Sequence, residues 1–259
     1  MVTAPDALDA TPQPLEAPVP EVPRASRALS VLEVLLCSGF PTQLLIGGLL
    51  VALGARVSGN TLPFHFVVAV SLLDTLAIVL LVVAFLRLRG EHAGSVLLGR
   101  GPLWPEVRRG LAWLPLVFAL MIGLSALLRA VAPWLHNVPE NPLQAMLTSP
   151  GRVVVFALVV VLAGGVREEV QRAFILHRFE QDLGGARLGL TLFSVAFGLG
   201  HLTQGIDAAI ITGMLGLLWG AIYLARRSLV APAVSHALFN LIQIALYQYA
   251  SKNGLLPPT

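Results

Sequence analysis

His65–Leu88, HFVVAVSLLDTLAIVLLVVAFLRL, decides the fold class. The run is apolar over more than the roughly 20 residues that cross a bilayer core, and Asp74 is its one acid. A segment like this spans as a helix, because only a helix satisfies every backbone polar group from within one segment. Working outward, similar runs cover Leu29–Leu53, Gly110–Leu128, Val153–Val166, Leu188–Leu202, Ile206–Leu224 and Leu229–Tyr247. Glu33 and Pro41 interrupt the first, which predicts a kink. The run ending at Val166 continues as a charged helix from Arg167 to about Phe179. The reading is an all-α, polytopic transmembrane bundle of about seven membrane helices, some short enough to be half-spans.

Composition agrees. Hydrophobic residues make up 56% and charged residues 12%, about half the charge of a soluble domain. Such a chain has too little polar surface for a water-soluble globule and too little charge to be disordered over most of its length. Residues 1–27 form a Pro/Ala/acidic tail, expected to be flexible and disordered, with no basic stretch ahead of a short apolar core as in a signal peptide. Residues 28–149 are read as N-terminal membrane helices, 150–250 as the core carrying the chemistry, and 251–259 as a C-terminal tail. With the N-terminus inside and the spans alternating, 13 of the 17 Lys and Arg fall on the inner side. That predicts a multi-pass integral membrane protein with a cytoplasmic N-terminus, a short interfacial helix between Arg87 and Arg109, and a Pro-rich outer loop from Val131 to Arg152. Lys252 is the only lysine, so a nucleic-acid partner is excluded; the partner expected everywhere is the lipid bilayer. The single cysteine, Cys37, is read as a small buried hydrophobe.

Ionisable groups in hydrocarbon cost at least about 2.5–3.5 kcal/mol each, so each needs a reason. Most fall in three clusters: Arg167-Glu168-Glu169-Val170-Gln171-Arg172, Phe197-Gly198-Leu199-Gly200-His201, and His236-Ala237-Leu238-Phe239-Asn240. Glu168 or Glu169 can share a helix face with Arg172, and His236 shares one with Asn240. There is no HExxH. Any one cluster alone could be polar glue between helices. Two carboxylates, two His, an Arg and an Asn together suit amide hydrolysis by water. A desolvated Glu takes the proton, a neutral His orients the water, and a second His with an Asn stabilises the oxyanion.

These motifs resemble the CPBP intramembrane protease family, which includes the CAAX-processing endopeptidases and bacterial Abi proteins, with its EExxxR, FxxxH and HxxxN motifs. The resemblance runs from about Pro150 to Tyr249. It implies an intramembrane endopeptidase acting on a peptide or membrane-protein substrate. Glu168 or Glu169 would be the base, His201 the water-orienting group, and His236 and Asn240 the oxyanion donors. Arg172 and Phe197 would be structural or substrate-binding. Glu168 is preferred as base for its offset to Arg172. The first motif is one residue short: anchoring on Arg172-Ala173-Phe174-Ile175-Leu176 puts Arg167 where the family has its first Glu. That keeps open a catalytically inactive scaffold or immunity protein of the same fold. The resemblance favours a mechanism needing no cofactor; the alternative is zinc held by Glu168, His201 and His236. A transporter, the third class, lacks the expected repeat symmetry.

Weaker signals have plainer readings. Gly164-Gly165 and the GxxxG from Gly216 to Gly220 are read as helix packing. Trp104, Trp113, Trp134 and Trp219 are read as interfacial belts, and Asp207 as a helix N-terminal charge. Gln204 is read as a polar contact near His201. Glu33 and Asp74 are expected to pair with basic residues in the bundle or to lie near an interface, and His177 and Arg178 to be solvated.

Overall fold

The structure, a computed structural model, describes residues 26–56 and 62–255. Most of the N-terminal tail and the last residues of the C-terminal one lie outside them. The described residues are helical and contain no strand. In chain order the helices are α1 (Arg27–Leu36), α2 (Phe40–Ala52), α3 (Phe64–Leu88), α4 (Ala93–Leu97), α5 (Leu103–Val131), α6 (Pro142–Ala145), α7 (Pro150–Val159), α8 (Glu168–Asp182), α9 (Ala186–Leu199), α10 (Ile206–Arg226) and α11 (Val230–Lys252). A π-helical segment, Val160–Arg167, joins α7 to α8 without a break, so Pro150 to Asp182 is one rod.

Four helices, α3, α5, α10 and α11, are long and apolar enough to cross a membrane. The predicted kink separates α1 from α2, which meet at 45° and pass the same test as a pair. Gly39 turns there in the left-handed region at φ 84°, and Pro41, which has no N–H to donate, stands in the first turn of α2. The α7–π–α8 rod and the 14-residue α9 complete the seven predicted segments; neither is among the four long apolar helices, and α9 is a shorter apolar one. The rod carries charge through its second half, and α9 stops where His201 begins the site.

The outer faces show what surrounds the bundle. Only 6% of the most apolar stretch of α5 is buried, and Leu44, Leu45, Ile122 and Leu127 point outward. Apolar surface on this scale is stable against lipid rather than water. The chain is an integral membrane protein.

Glycines let the site-bearing helices approach closely. A Cβ at Gly198 would stand 2.6 Å from the Ala209 carbonyl oxygen, and one at Gly216 would stand 2.9 Å from Phe197. The GxxxG is therefore internal packing of α10 against α9, as read. At the end of the bundle distant from the site, ion pairs fasten α1, α3 and α8. Arg178 is fully buried; it donates to Glu33 at 2.6 Å and to Glu91 at 2.6 Å. Arg89 reaches Glu33 at 2.9 Å and Asp182 at 2.7 Å. Glu33 thus has the bundle partners expected of it. Arg178 is not solvated as the sequence suggested, because α1 and the α3–α4 turn close over it with their own carboxylates. His177 is partly buried against Glu91, at 2.5 Å. The predicted short helix in this loop is α4, packed on α8 and held by the Tyr223 hydroxyl on the Val96 carbonyl.

Candidate active site

A cavity of about 530 Å³ gathers Glu168, His201, His236 and Asn240 from α8, the end of α9, and α11. It extends to His136, Asn141 and Gln144 in the connection between α5 and α7. That connection is bound to the start of α10 by His136 on Asp207 at 2.7 Å, Asn137 on the Ile206 amide at 2.9 Å and Asn141 on Gln204 at 3.1 Å. Gln204 has the polar contact expected of it. Asp207 accepts from the Ala208 amide at the start of α10, as a helix N-terminal charge would.

The two adjacent acids have different surroundings. Glu168 lines the cavity and is partly exposed to it. Glu169 is buried and lies outside the cavity lining, ion-paired to Arg172 and hydrogen-bonded by His236 Nδ1 at 2.9 Å. The pair the sequence left open is therefore Glu169–Arg172, three residues apart, rather than Glu168–Arg172. The Arg172 guanidinium is wholly buried, over the rings of Phe197 at 4.9 Å, Phe193 at 5.3 Å and Trp219 at 5.8 Å. The ring faces attract the buried cation, whose Nε and Nη2 have no hydrogen-bond partner among the described residues.

His236 stands between the carboxylates. Its Nδ1 donates to Glu169, and its Nε2 is 3.7 Å from Glu168 Oε2. Its ring lies flat on Trp219, with centroids 3.8 Å apart and planes 17° from parallel. Trp219 is thus a buried wall of the site and not an interfacial residue as its composition class suggested; its indole N–H is held by Ser235 at 3.0 Å. The one clue to this in the sequence is its place inside a GxxxG, on a face that must be buried. Phe197 meets both histidine rings edge-on, at 5.0 Å for His201 and 6.2 Å for His236. Its carbonyl accepts from His201 Nδ1 at 2.8 Å, which leaves Nε2 of a neutral His201 as an acceptor.

The double glycine makes room for this arrangement. A Cβ at Gly164 would lie 2.6 Å from Asn240 Nδ2, and one at Gly165 would lie 2.5 Å from Ala237 Cβ. The π segment and α11 can approach only because neither position carries a side chain. Asn240 and His236 share one face of α11, as their spacing implies.

Arg167 points elsewhere. It reaches the fully buried Asp74 of α3 at 2.7 Å and donates to Gln171 at 3.1 Å. Asp74 also accepts from Thr42 and from Gln43 at 3.2 Å. Asp74 therefore has the bundle partner expected of it, and Arg167 does not line the cavity among the described residues. No group of three or more His, Cys, Asp or Glu is arranged to hold a metal ion among the described residues. The set named for zinc, Glu168, His201 and His236, shares the cavity wall, and the bond from His236 Nδ1 to Glu169 leaves its Nε2 facing Glu168.

Residues 149–242 match the family model described as Rce1-like, type II CAAX prenyl endopeptidase Rce1-like. No curated protein and no solved structure matches the chain. The matched stretch holds Glu168, Glu169, Arg172, Phe197, His201, His236 and Asn240. This stretch, about a third of the chain, is what is similar to the CPBP/CAAX protease family.

Proposed function

We propose that the protein is an intramembrane endopeptidase that hydrolyses peptide bonds with a glutamate-activated water. The observation that carries this reading is the meeting of Glu168, His201, His236 and Asn240 on one cavity wall, from three separate helices. Polar glue between helices has no need of a cavity.

In this reading water sits between Glu168 and His201 Nε2, whose tautomer is fixed by the Phe197 carbonyl. Glu168 takes one proton as the water oxygen attacks the amide carbon. The oxyanion is met by Asn240 Nδ2 and by Nε2–H of His236, with Glu169 opposite supporting the charge on the ring. Glu168 passes its proton to the amide nitrogen and the C–N bond breaks, leaving a carboxylic acid and an amine. Glu169, Arg172 and Trp219 are positioning residues that hold His236. No cofactor takes part in these steps. The substrate is a peptide or membrane-protein segment that reaches the cavity from the bilayer or its surface. The N-terminus lies in the cytoplasm, a reading supported by the 13 basic residues on that side.

The inactive-scaffold reading draws on Arg167, where the family has its first acid. Its weight falls because Arg167 faces Asp74 while Glu168 takes the cavity wall. The test uses detergent-purified protein and a quenched-fluorescent peptide library, with and without a chelator. Wild type should cleave. Glu168→Gln and His201→Ala should lose at least about a hundredfold in kcat, by loss of general acid–base catalysis, and the chelator should change nothing. Full activity in Glu168→Gln refutes the assignment, and loss on chelation returns the zinc reading.

A further inference from the structure

We propose that Gln204 is a substrate-binding residue of this site, donating a hydrogen bond from its side-chain amide to a backbone carbonyl that flanks the scissile bond, and that Asn141 is the positioning residue that aims it. The inference rests on the peptidase reading and adds two residues that lie outside the three motifs.

One backbone donor fixes the direction of both amides. Leu143 stands in the first turn of α6, where its N–H has no partner within the helix, and Asn141 caps it by accepting at Oδ1, 3.0 Å away. The other end of the Asn141 amide, Nδ2, therefore faces Gln204. Of the two ends of the Gln204 amide only Oε1 can accept from it, and it does so at 3.1 Å. That leaves Gln204 Nε2, a donor, as the end turned to other partners. Both residues line the cavity, and Nε2 has no hydrogen-bond partner among the described residues.

The frame around the pair is held on both sides. Gln204 closes the tight turn Leu202–Gln204 with its own N–H on the His201 carbonyl at 2.9 Å, so it stands one turn from the histidine that orients the water. Gly205 then turns the chain at φ 120°, where a Cβ would lie 2.7 Å from Asp207 Oδ1. Beyond that turn, His136 on Asp207 and Asn137 on the Ile206 amide tie the α5–α7 connection to α10. A donor ordered in advance loses little freedom when it binds. A peptide backbone that leaves water for the cavity needs a donor for each buried carbonyl. His201 Nδ1 already donates to the Phe197 carbonyl, and Asn240 and His236 serve the reacting carbonyl. Gln204 Nε2 takes a neighbouring one.

The experiment uses full-length protein in detergent and one cleavable peptide, made also with a single thioamide at each position flanking the scissile bond. A thiocarbonyl sulfur accepts hydrogen bonds more weakly than oxygen, so at one position wild type should lose about three- to tenfold in kcat/KM, mainly through KM. Gln204→Met keeps the length and removes the donor. It should lose as much on the parent peptide and be indifferent to the thioamide at that position. Asn141→Asp keeps an acceptor for the Leu143 amide but turns a second oxygen on Gln204, whose amide must then flip and present Oε1 to the cavity. KM should rise as for Gln204→Met, and the rise should vanish when Gln204→Met is already in place. Full activity in Gln204→Met, or a loss in it that leaves every thioamide effect as in wild type, overturns the proposal and leaves the peptidase reading standing. No cleavage by wild type overturns the peptidase reading, and this proposal with it.

Discussion

The Asp74–Arg167 pair gives the sharpest stability prediction. Asp74 is fully buried and accepts from Arg167 at 2.7 Å, from Gln43 at 3.2 Å and from Thr42. Asp74→Asn keeps the shape but leaves Arg167, itself buried, with only Gln171 as a partner among the described residues. Removing one member of a buried ion pair costs about 3–5 kcal/mol, because the remaining charge has lost its compensation. For a chain of this size that is a fall in Tm of about 6–20 °C. Removing both charges, as in Asp74→Leu with Arg167→Met, should cost far less and lies near neutrality, because desolvation of the pair nearly cancels its attraction. The assay is thermal unfolding of detergent-solubilised protein for Asp74→Leu, Arg167→Met and the double variant. The singles should destabilise and the double should recover most of the loss, a coupling of about 3 kcal/mol or more. A double variant as unstable as the sum of the singles would refute the reasoning, since the two side chains would then be acting independently.

Two further outcomes follow from the same geometry. Gly164→Ala places a methyl 2.6 Å from Asn240 Nδ2 and should displace that donor, lowering kcat by about 10²–10³ with little change in KM if Asn240 serves the oxyanion; steady-state kinetics on the cleaved peptide decide it. Glu91, in the α3–α4 turn, is pushed up by burial but held below the usual carboxylate range overall by hydrogen bonds from His177 and Arg178. Its stabilising contribution is therefore full above its unfolded value of about 4.3 and is lost as pH falls through the lower folded value, so Tm should drop in acid and Glu91→Gln should flatten that drop.

The sequence made the fold legible because hydrocarbon allows so few structures. Each apolar run had to be a helix, and Pro41 marked a bend the structure confirms beside Gly39. The clusters around Glu168, His201 and His236 were legible for the related reason that intramembrane charge is rare. What the sequence hid depends on direction and on distant partners. Arg178 looked like a solvated end residue because Glu33 and Glu91, which bury it, come from elements far away in the chain. Trp219 looked interfacial because a tryptophan in an apolar run gives no sign of which face it occupies. The π segment left no periodic signature, since its eight residues are nearly all apolar or glycine.

That segment bears on the one-residue gap in the first motif. One residue turns an α-helix by about 100°, so on an unbroken helix the alignment anchored on Arg172 and the one anchored on the acidic pair exclude each other. The chain is not an unbroken helix there. Eight π-helical residues end at Arg167, immediately before Glu168, and π turns rotate less per residue than α turns. The facing of Glu168 is therefore not fixed by counting along α7. It is fixed where the π segment ends, by Arg167 on Asp74 on one side and by the contact of Gly164 and Gly165 with α11 on the other. Between those two restraints Glu168 lines the cavity and Glu169 lies beneath His236. The arginine that breaks the motif in the sequence thus acts as an anchor in the fold. Its ion pair with α3 is one of the two attachments that leave the following residue facing the cavity.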